Sequence, residues 1–501
     1  MATTAAHATV GIEDFPTGLL IDGEWSSSSD GSTIDNINPA TEEVLATVDA
    51  ASAADVDRAV RAARTAFEGP WRAVSGRDRG RLLNRLAALV ERDAAHFHAI
   101  KGLENGMPAG GPDVPMTIDV LEYFAGWADK IHGRVIPTAG AMDPSAAEGA
   151  RPEPLPSHVF TVREPIGVIG AICAWNAPLL TAAIKLAPML AAGNTVVFKT
   201  SEESMQAILY LGKLVEEAGF PAGVVNIING RGPVTGAALV EHPDVDHISF
   251  TGSPEVGATI AQAAARTYKR VTLELGGKNP QLIFADADLD KAAFSAAIGV
   301  IANAGQVCLS GSRILVERSV YDEVVERVAA IAGGVTVGDP FDPGVMMGSL
   351  INARQLDRVL GYIEQGRNEG ARLVVGGERL DRPGYFVQPT FFADAHNDMT
   401  IAREEIFGPV GTIIPFDTED EAVRIANDTE FGLGATVWTR DVSRAHLLPR
   451  VLHAGAVSVN SWSPLDARVP HGGFGRSGQG RENGYAAIED VTEEKTITIV
   501  L

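Results

Sequence analysis

Residues Val168 to Lys199 read VIGAICAWNAPLLTAAIKLAPMLAAGNTVVFK. The apolar and small residues from Val168 to Ile172 are followed by a break at Trp175-Asn176-Ala177-Pro178. A long apolar stretch then starts near Leu180 and ends at Gly193, and the β-branched run Thr195 to Lys199 follows. Proline suits the first turn of a helix and glycine its end, so the spacing predicts strand, tight loop, helix, strand. Strands joined across a helix run parallel. The whole of Ile166 to Ile184 lacks a charge, but Gly167, Gly170 and Pro178 interrupt it, which reads as a buried strand and a helix start rather than a membrane span.

The same unit repeats downstream. A helix from Ser204 is ended by Gly219 and Pro221, Val224 to Ile228 leads to a helix from about Val234, Val245 to Phe250 to one from Pro254, and Val271 to Leu275 follows. Such repetition predicts a doubly wound α/β domain: a parallel sheet covered on both faces, with ligands beyond the carboxyl ends of its strands. Farther on come a strand Gln281 to Phe284, a helix from about Asp288 to Ala302, a strand Arg313 to Glu317 and a helix Val320 to Ala332. The alternation continues to about Asn460, predicting a second α/β domain. Upstream, Leu19 to Val48 reads as short strands joined by turns at Asp22-Gly23, Asp30-Gly31 and Asn38-Pro39. Three amphipathic helices are then expected: one after Ser52, one from about Arg77 to Ile100 and one from about Thr117 to Ile131. On the second, His96 and His98 face apart and read as surface residues rather than metal ligands.

Thr138 to Pro156 shifts to Ala, Pro, Gly and Glu, which marks an excursion from the domain body, and Thr496 to Val500 is β-branched, a strand able to join a sheet of another subunit. At 501 residues the chain exceeds one hydrophobic core. The organisation expected is residues 1–137 with 157–276 as one domain, 277–483 as the second, and 138–156 with 484–501 as a small β oligomerisation element, residues 1–15 being a flexible tail.

A formal charge of −23 argues against nucleic acid or an anionic membrane as partner. Two cysteines, Cys173 and Cys308, make no disulfide framework and no zinc spacing, so a reducing cytoplasm fits and no metal is expected. Met1 to Gly11 has neither a basic start nor an apolar core, so no export signal is expected.

Chemistry concentrates at a few places. Cys308 lies in Asn303 to Arg313, NAGQVCLSGSR, among small and polar neighbours that let a ligand approach, so it reads as reactive more than structural. Glu274 is a charge at an apolar strand end before two glycines. It is either a general base in a cleft or one half of a structural ion pair with Lys278 or Arg270. Gly230, Gly232 and Gly236 follow a strand with spacing unlike the dinucleotide fingerprint. Thr251-Gly252-Ser253-Pro254-Glu255 reads either as a helix cap or as an anion site.

Glu274 in LELGGKNP and Cys308 in GQVC followed by GSR resemble the signature pair of the NAD(P)-dependent aldehyde dehydrogenase superfamily. WNAP at Trp175 to Pro178, FTGS at Phe250 to Ser253, EEIFGPV at Glu404 to Val410 and HGGFGRSG at His471 to Gly478 resemble it too, in the family's order. The resemblance implies that Cys308 attacks an aldehyde, that Asn176 and the Cys308 N–H hold the oxyanion, and that Glu274 activates the water that hydrolyses a thioester. It implies a cofactor cleft of Ile172, Trp175, Lys199, Glu202, Gly232, Gly252, Ser253, Gly257, Glu405 and Phe407. Glu202 accepts ribose hydroxyls and opposes a 2′-phosphate, so NAD is expected, although Lys199 leaves NADP open. Ala174 and Ala177 stand where the family commonly has a proline and an aromatic, and Arg476 where it has a lysine. With Ala177, Thr181, Ile184, Val307, Leu309, Trp462 and Leu465 expected to line an apolar tunnel, the substrate expected is a bulky hydrophobic aldehyde. A homodimer or homotetramer is expected.

Three rival readings are weighed. Transfer of the acyl group to coenzyme A is disfavoured because family members that do so usually lack the glutamate at Glu274. A catalytically silent binding protein is disfavoured by intact Cys308, Glu274 and Asn176. A cysteine hydrolase is disfavoured by the lack of a histidine within the motifs to serve as base, and would leave the nucleotide elements unexplained.

Overall fold

The computed structural model describes residues 15–108, 110–138, 140, 155–462 and 465–501. Its first sheet carries the predicted parallel strands in the order Arg270–Glu274, His247–Thr251, Val168–Ile172, Thr195–Lys199, Val225–Ile228. Successive residues of a strand face opposite sides, and both sides are dry here. Val196 and Phe198 join a core built with the helices Gly76–Arg92, Asp113–Trp127, Pro178–Ala192 and Gln206–Ala218. Val197 points the other way, into a core shared with Ala53–Glu68 and Pro254–Ala265. Leu19–Ile21 and Glu24–Ser26 extend one edge, antiparallel, and Gly478–Gln479 the other.

The second sheet runs Arg372–Val375, Thr390–Ala393, Val410–Phe416, Arg313–Glu317, Pro280–Ile283, Gly434–Trp438, Ala456–Val459, parallel except at its first pair. The first sheet reverses its strand order between Val168–Ile172 and His247–Thr251, and in the second Pro280–Ile283 lies between Arg313–Glu317, which follows it, and Gly434–Trp438, which starts the run to the other edge. Ligand crevices form at such switch points, because neighbouring connections leave in opposite directions there. The two doubly wound α/β units of the sequence reading are therefore present. A third, three-stranded sheet joins Thr492–Val500, Ser157–Pro165 and Val135–Ile136.

Several local expectations are corrected. The helix expected from Arg77 to Ile100 is two helices, Gly76–Arg92 and Ala94–Asn105, because Asp93 leaves helical geometry to accept from Arg92 and from the Tyr210 hydroxyl. The third helix lies earlier, at Asp113–Trp127. His96 is half-buried against the Tyr210 ring, with centroids 4.0 Å apart, rather than on the surface. On one side the C-terminal strand pairs with its own chain, Thr492 opposite Pro165 through Val500 opposite Ser157, and its other side is a sheet edge, which leaves the expected pairing with another subunit untouched. Residues 1–14 of the expected tail and residues 139 and 141–154 of the expected excursion lie outside the described residues.

Candidate active site

Cys308 is presented by a strained loop. Asn303, Ala304 and Gly305 all have left-handed φ, at 50°, 52° and 73°, and only glycine takes that geometry without cost. At Gly305 the requirement is absolute, since a Cβ would lie 2.1 Å from the Gly408 backbone. Side-chain amides hold the loop in place. Asn279 Nδ2 donates to the Cys308 carbonyl at 2.8 Å and to that of Ser310 at 2.9 Å, while Asn303 Nδ2 donates to the Asn176 carbonyl at 2.9 Å. Asn176, at the carboxyl end of Val168–Ile172, donates from Nδ2 to the Gln306 carbonyl at 3.0 Å, which ties the first domain to the nucleophile loop of the second.

Glu274 ends the strand Arg270–Glu274 and is 4% exposed. Neither Lys278 nor Arg270 pairs with it. Its Oε1 meets His471 Nε2 at 3.1 Å, and Oε2 has no hydrogen-bond partner among the described residues. A buried carboxylate oxygen left unpaired is costly and marks a position kept for something other than stability. Lys278 is also buried without a hydrogen bond, and burial, with the Arg313 charge, pushes its ammonium down to about 7.

Cys308 and Glu274 open on one cleft of about 1040 Å³ at the first sheet's switch point, lined also by Trp175, Asn176, Gly252, Ser253, Glu405 and Phe407. Its walls suit a dinucleotide. Ser253 Oγ caps Pro254–Ala265 through the Val256 N–H at 3.4 Å, and with Pro254 lacking an N–H the Glu255 amide is the first-turn donor left for an anion. The Trp175 and Phe407 rings meet edge to face at 5.2 Å. Glu405 accepts the Gly277 N–H at 3.0 Å, and burial pushes its carboxyl up to about 7. Gly276 makes room for that carboxylate, which an added Cβ would meet at 2.0 Å. Lys199 is buried, donating to the Thr200 carbonyl at 2.8 Å and lying 3.5 Å from Glu202 Oε2. It, Glu202, Ile172, Gly232 and Gly257 stand outside the cleft wall itself. Gly232 opens the wide helical turn Gly232–Gly236, and Gly257 packs against Leu275.

Of the expected tunnel residues, Leu309, Trp462 and Leu465 line a second cavity of about 310 Å³, with Val457, Val469 and His471. Trp462 Nε1 donates to the Leu309 carbonyl at 3.0 Å. Ala177, Thr181, Ile184 and Val307 do not line it. Ile184 packs instead against the core of the first domain.

His471 was missed by the sequence reading. The statement that no histidine stands within the motifs is wrong, since this one heads the HGGFGRSG run. Chain distance concealed its role. Gly478 pairs with Glu274 at the sheet edge, and Ser477 Oγ donates to the Gly276 carbonyl at 2.7 Å, so the closing run is carried back to residues some 200 positions earlier, the His471–Glu274 separation being 197. Arg354, Gln355 and Arg358 of the cleft wall were also missed. They come from the helix Ala353–Asn368, whose exposed arginines look in sequence like those of any solvated helix face.

The aldehyde dehydrogenase family model matches residues 25–497. Aldehyde dehydrogenase 1A1 of Gallus gallus is 47% identical over 489 residues, 96% of this chain and 93% of that protein. Retinal dehydrogenase 2 of the same species is 46% identical, covering 98% and 93%. An NAD+ complex of a Bacillus cereus aldehyde dehydrogenase superposes with a TM-score of 0.93 at 41% identity, over 98% of each chain. An indole-3-acetaldehyde dehydrogenase of P. syringae, in complex with NAD+ and IAA, does so with a TM-score of 0.94 at 39% identity, over 100% of this chain and 99% of that one. Over nearly its whole length, in sequence and in fold, the chain belongs to the aldehyde dehydrogenase family.

Proposed function

We propose that this protein oxidises an aldehyde to the carboxylic acid with NAD, through a thiohemiacetal and then a thioester on Cys308. The observation that carries the reading is the meeting of Cys308, Asn176 and an unpaired Glu274 carboxylate oxygen in one cleft. Cys308 Sγ forms a bond to the carbonyl carbon, whose π electrons move onto oxygen. Asn176 has a second amide hydrogen beyond the one given to Gln306, and with the Cys308 N–H it steadies that oxygen. Bound NAD supplies the acceptor for the departing hydride. Glu274 Oε2 then takes a proton from water as its oxygen attacks the thioester, the C–S bond breaks, and the acid leaves. The NAD preference is supported by Glu202 beside buried Lys199, and by the NAD+ complexes of the Bacillus cereus and P. syringae relatives.

The domain at 1–137 and 157–276 is assigned to the cofactor, 277–483 to catalysis, and 138–156 with 484–501 to assembly as a homodimer or homotetramer in the cytoplasm. A bulky hydrophobic aldehyde is the substrate class favoured by the apolar cavity around Leu309 and Trp462 and by the relatives named for retinal and indole-3-acetaldehyde. The decisive experiment follows NADH absorbance across an aldehyde panel with NAD. Wild type should turn over aromatic and long-chain aldehydes without coenzyme A, and Cys308→Ala should give no signal while keeping its Tm. Turnover that requires coenzyme A, or is confined to short or charged aldehydes, would overturn the corresponding part of the reading.

A further inference from the structure

The reaction above gives its last step to Glu274, whose side chain must be aimed before it can serve. The backbone beneath it is clamped from both sides. Glu274 pairs with Thr251 in one neighbouring strand and with Gly478 in the other, and its carbonyl accepts the Gly252 N–H at 3.1 Å. The carboxylate, by contrast, has a single hydrogen bond among the described residues, between Oε1 and His471 Nε2 at 3.1 Å. An ionised carboxylate only accepts, so the ring carries a hydrogen on that nitrogen.

The ring is held in turn. His471 N–H donates to the Glu482 carbonyl at 2.6 Å, and the His471 carbonyl accepts the Glu482 N–H at 2.7 Å. Buried Lys185 grips the Glu482 carboxylate at 2.6 Å and donates to Ser249 Oγ at 2.9 Å. Ser249 lies opposite Thr272 on the strand beside that of Glu274, so donor and acceptor are both referred to the same sheet.

The pair differs from one that serves the fold alone, because buried polar groups of that kind are normally satisfied. The Glu104 carboxylate accepts the Met205 and Gln206 N–H groups on Oε1 and the Ala207 N–H on Oε2. Glu274, equally buried, has Oε2 unpaired. His471 lines the apolar cavity of Leu309 and Trp462, whereas Glu274 and Cys308 line the cleft, so the ring orients the carboxylate from the neighbouring cavity. Burial opposes charge on the ring, yet its proton is held well above the usual histidine range, the Glu274 carboxylate being the largest of the influences that outweigh burial.

We propose that His471 is a positioning residue for Glu274: its Nε2–H holds Oε1 and so presents Oε2 to the hydrolytic water, an assignment that rests on the reading of Glu274 as the base. In that step one O–H bond of water breaks and its proton goes to Oε2. The water oxygen bonds to the thioester carbon and the C–S pair returns to sulfur, while His471 neither gains nor loses a proton.

Stopped-flow NADH absorbance at saturating aldehyde and NAD tests this with His471→Gln, His471→Asn, His471→Phe and Glu274→Gln. The glutamine amide nitrogen falls near the place of Nε2 and can take over the bond. The shorter asparagine cannot reach, and phenylalanine fills the space without a donor. His471→Asn and His471→Phe should release the first NADH per site as wild type does and then turn over about 10- to 100-fold more slowly, whereas His471→Gln should keep most of the wild-type rate. In the Glu274→Gln enzyme, adding His471→Asn should slow hydrolysis no further, because the ring acts through the carboxylate. Equal steady rates for the glutamine and asparagine variants, loss of the first NADH along with the steady rate, or an undiminished effect of His471→Asn in the Glu274→Gln enzyme would each overturn the proposal while leaving Glu274 as the base. A Glu274→Gln enzyme with an unslowed steady state would remove the base reading, and the proposal with it. Should His471→Phe fail to fold, the glutamine and asparagine pair decides.

Discussion

Glu274 has two carboxylate oxygens in different surroundings, one against His471 and one buried without a hydrogen-bond partner among the described residues. In the mechanism proposed above, that asymmetry would separate two tasks, Oε1 holding the ring and Oε2 taking a proton from water. Glu274→Gln keeps the shape and removes the base. It should therefore still release one NADH per site in a rapid first turnover and then slow in steady state by about 10²–10⁴. Stopped-flow absorbance checks this, and equal loss of the burst and of the steady rate would show that Glu274 acts before the thioester forms. Cys308 and Glu274 were recognisable in the sequence from their setting, a cysteine among small polar residues and a charge in an apolar strand end. His471 was not recognised, because nothing in HGGFGRSG says that its first residue folds back onto Glu274.

At the scale of elements, the helix Gln206–Ala218 begins without a side-chain cap of its own. Its first amides are taken by the buried carboxylate of Glu104 from the helix Ala94–Asn105, with Gln206 N–H donating at 2.7 Å and Met205 N–H beside it. Burial pushes this carboxyl up to about 7, the backbone amides pulling it back only in part. Its folded value thus exceeds the unfolded value of about 4.3, so the folded state binds the proton more tightly. The resulting stability is fully present below about pH 4.3 and is lost as pH rises through 7. The Tm of wild type minus that of Glu104→Gln should accordingly fall between about pH 5 and pH 8. A pH-independent difference in thermal shift would contradict this. The helix itself is plain in its apolar spacing, but its cap is not, since Glu104 lies some 100 residues earlier, on a helix whose start the sequence pattern misplaced.

For the whole molecule, the strand Thr492–Val500 binds the C-terminus to Ser157–Pro165 across nine paired residues, and Ile499 and Val500 remain 46% and 51% exposed. In the sheet order that strand is at an edge, with one side of its backbone unpaired within the chain among the described residues. Backbone groups and apolar side chains left this way favour pairing with a second copy. A chain that stops after Val491 should show a smaller mass than the full-length protein by light scattering at micromolar concentration. A full-length monomer, or an unchanged mass after truncation, would remove the assembly role assigned to this sheet.

Local order by itself determined the strands from Val168 to Leu275 and the doubly wound α/β class of both domains and, while Asn176 entered only through the family resemblance, it singled out Cys308 and Glu274 as candidates. Each of these is a short-range signal: apolar periodicity, a proline or glycine at a helix end, or a reactive residue among small ones. Only the tertiary structure decided that His471 meets Glu274, that Arg354 and Arg358 line the cleft, and that Ala177, Thr181, Ile184 and Val307 stay off the apolar cavity. It also decided that the terminal strand closes on its own chain. The physical reason is one of separation. Which residues share a helix face or strand is set within a few positions, whereas which strand ends meet is set by sheet order and by the burial of cores assembled from segments hundreds of residues apart.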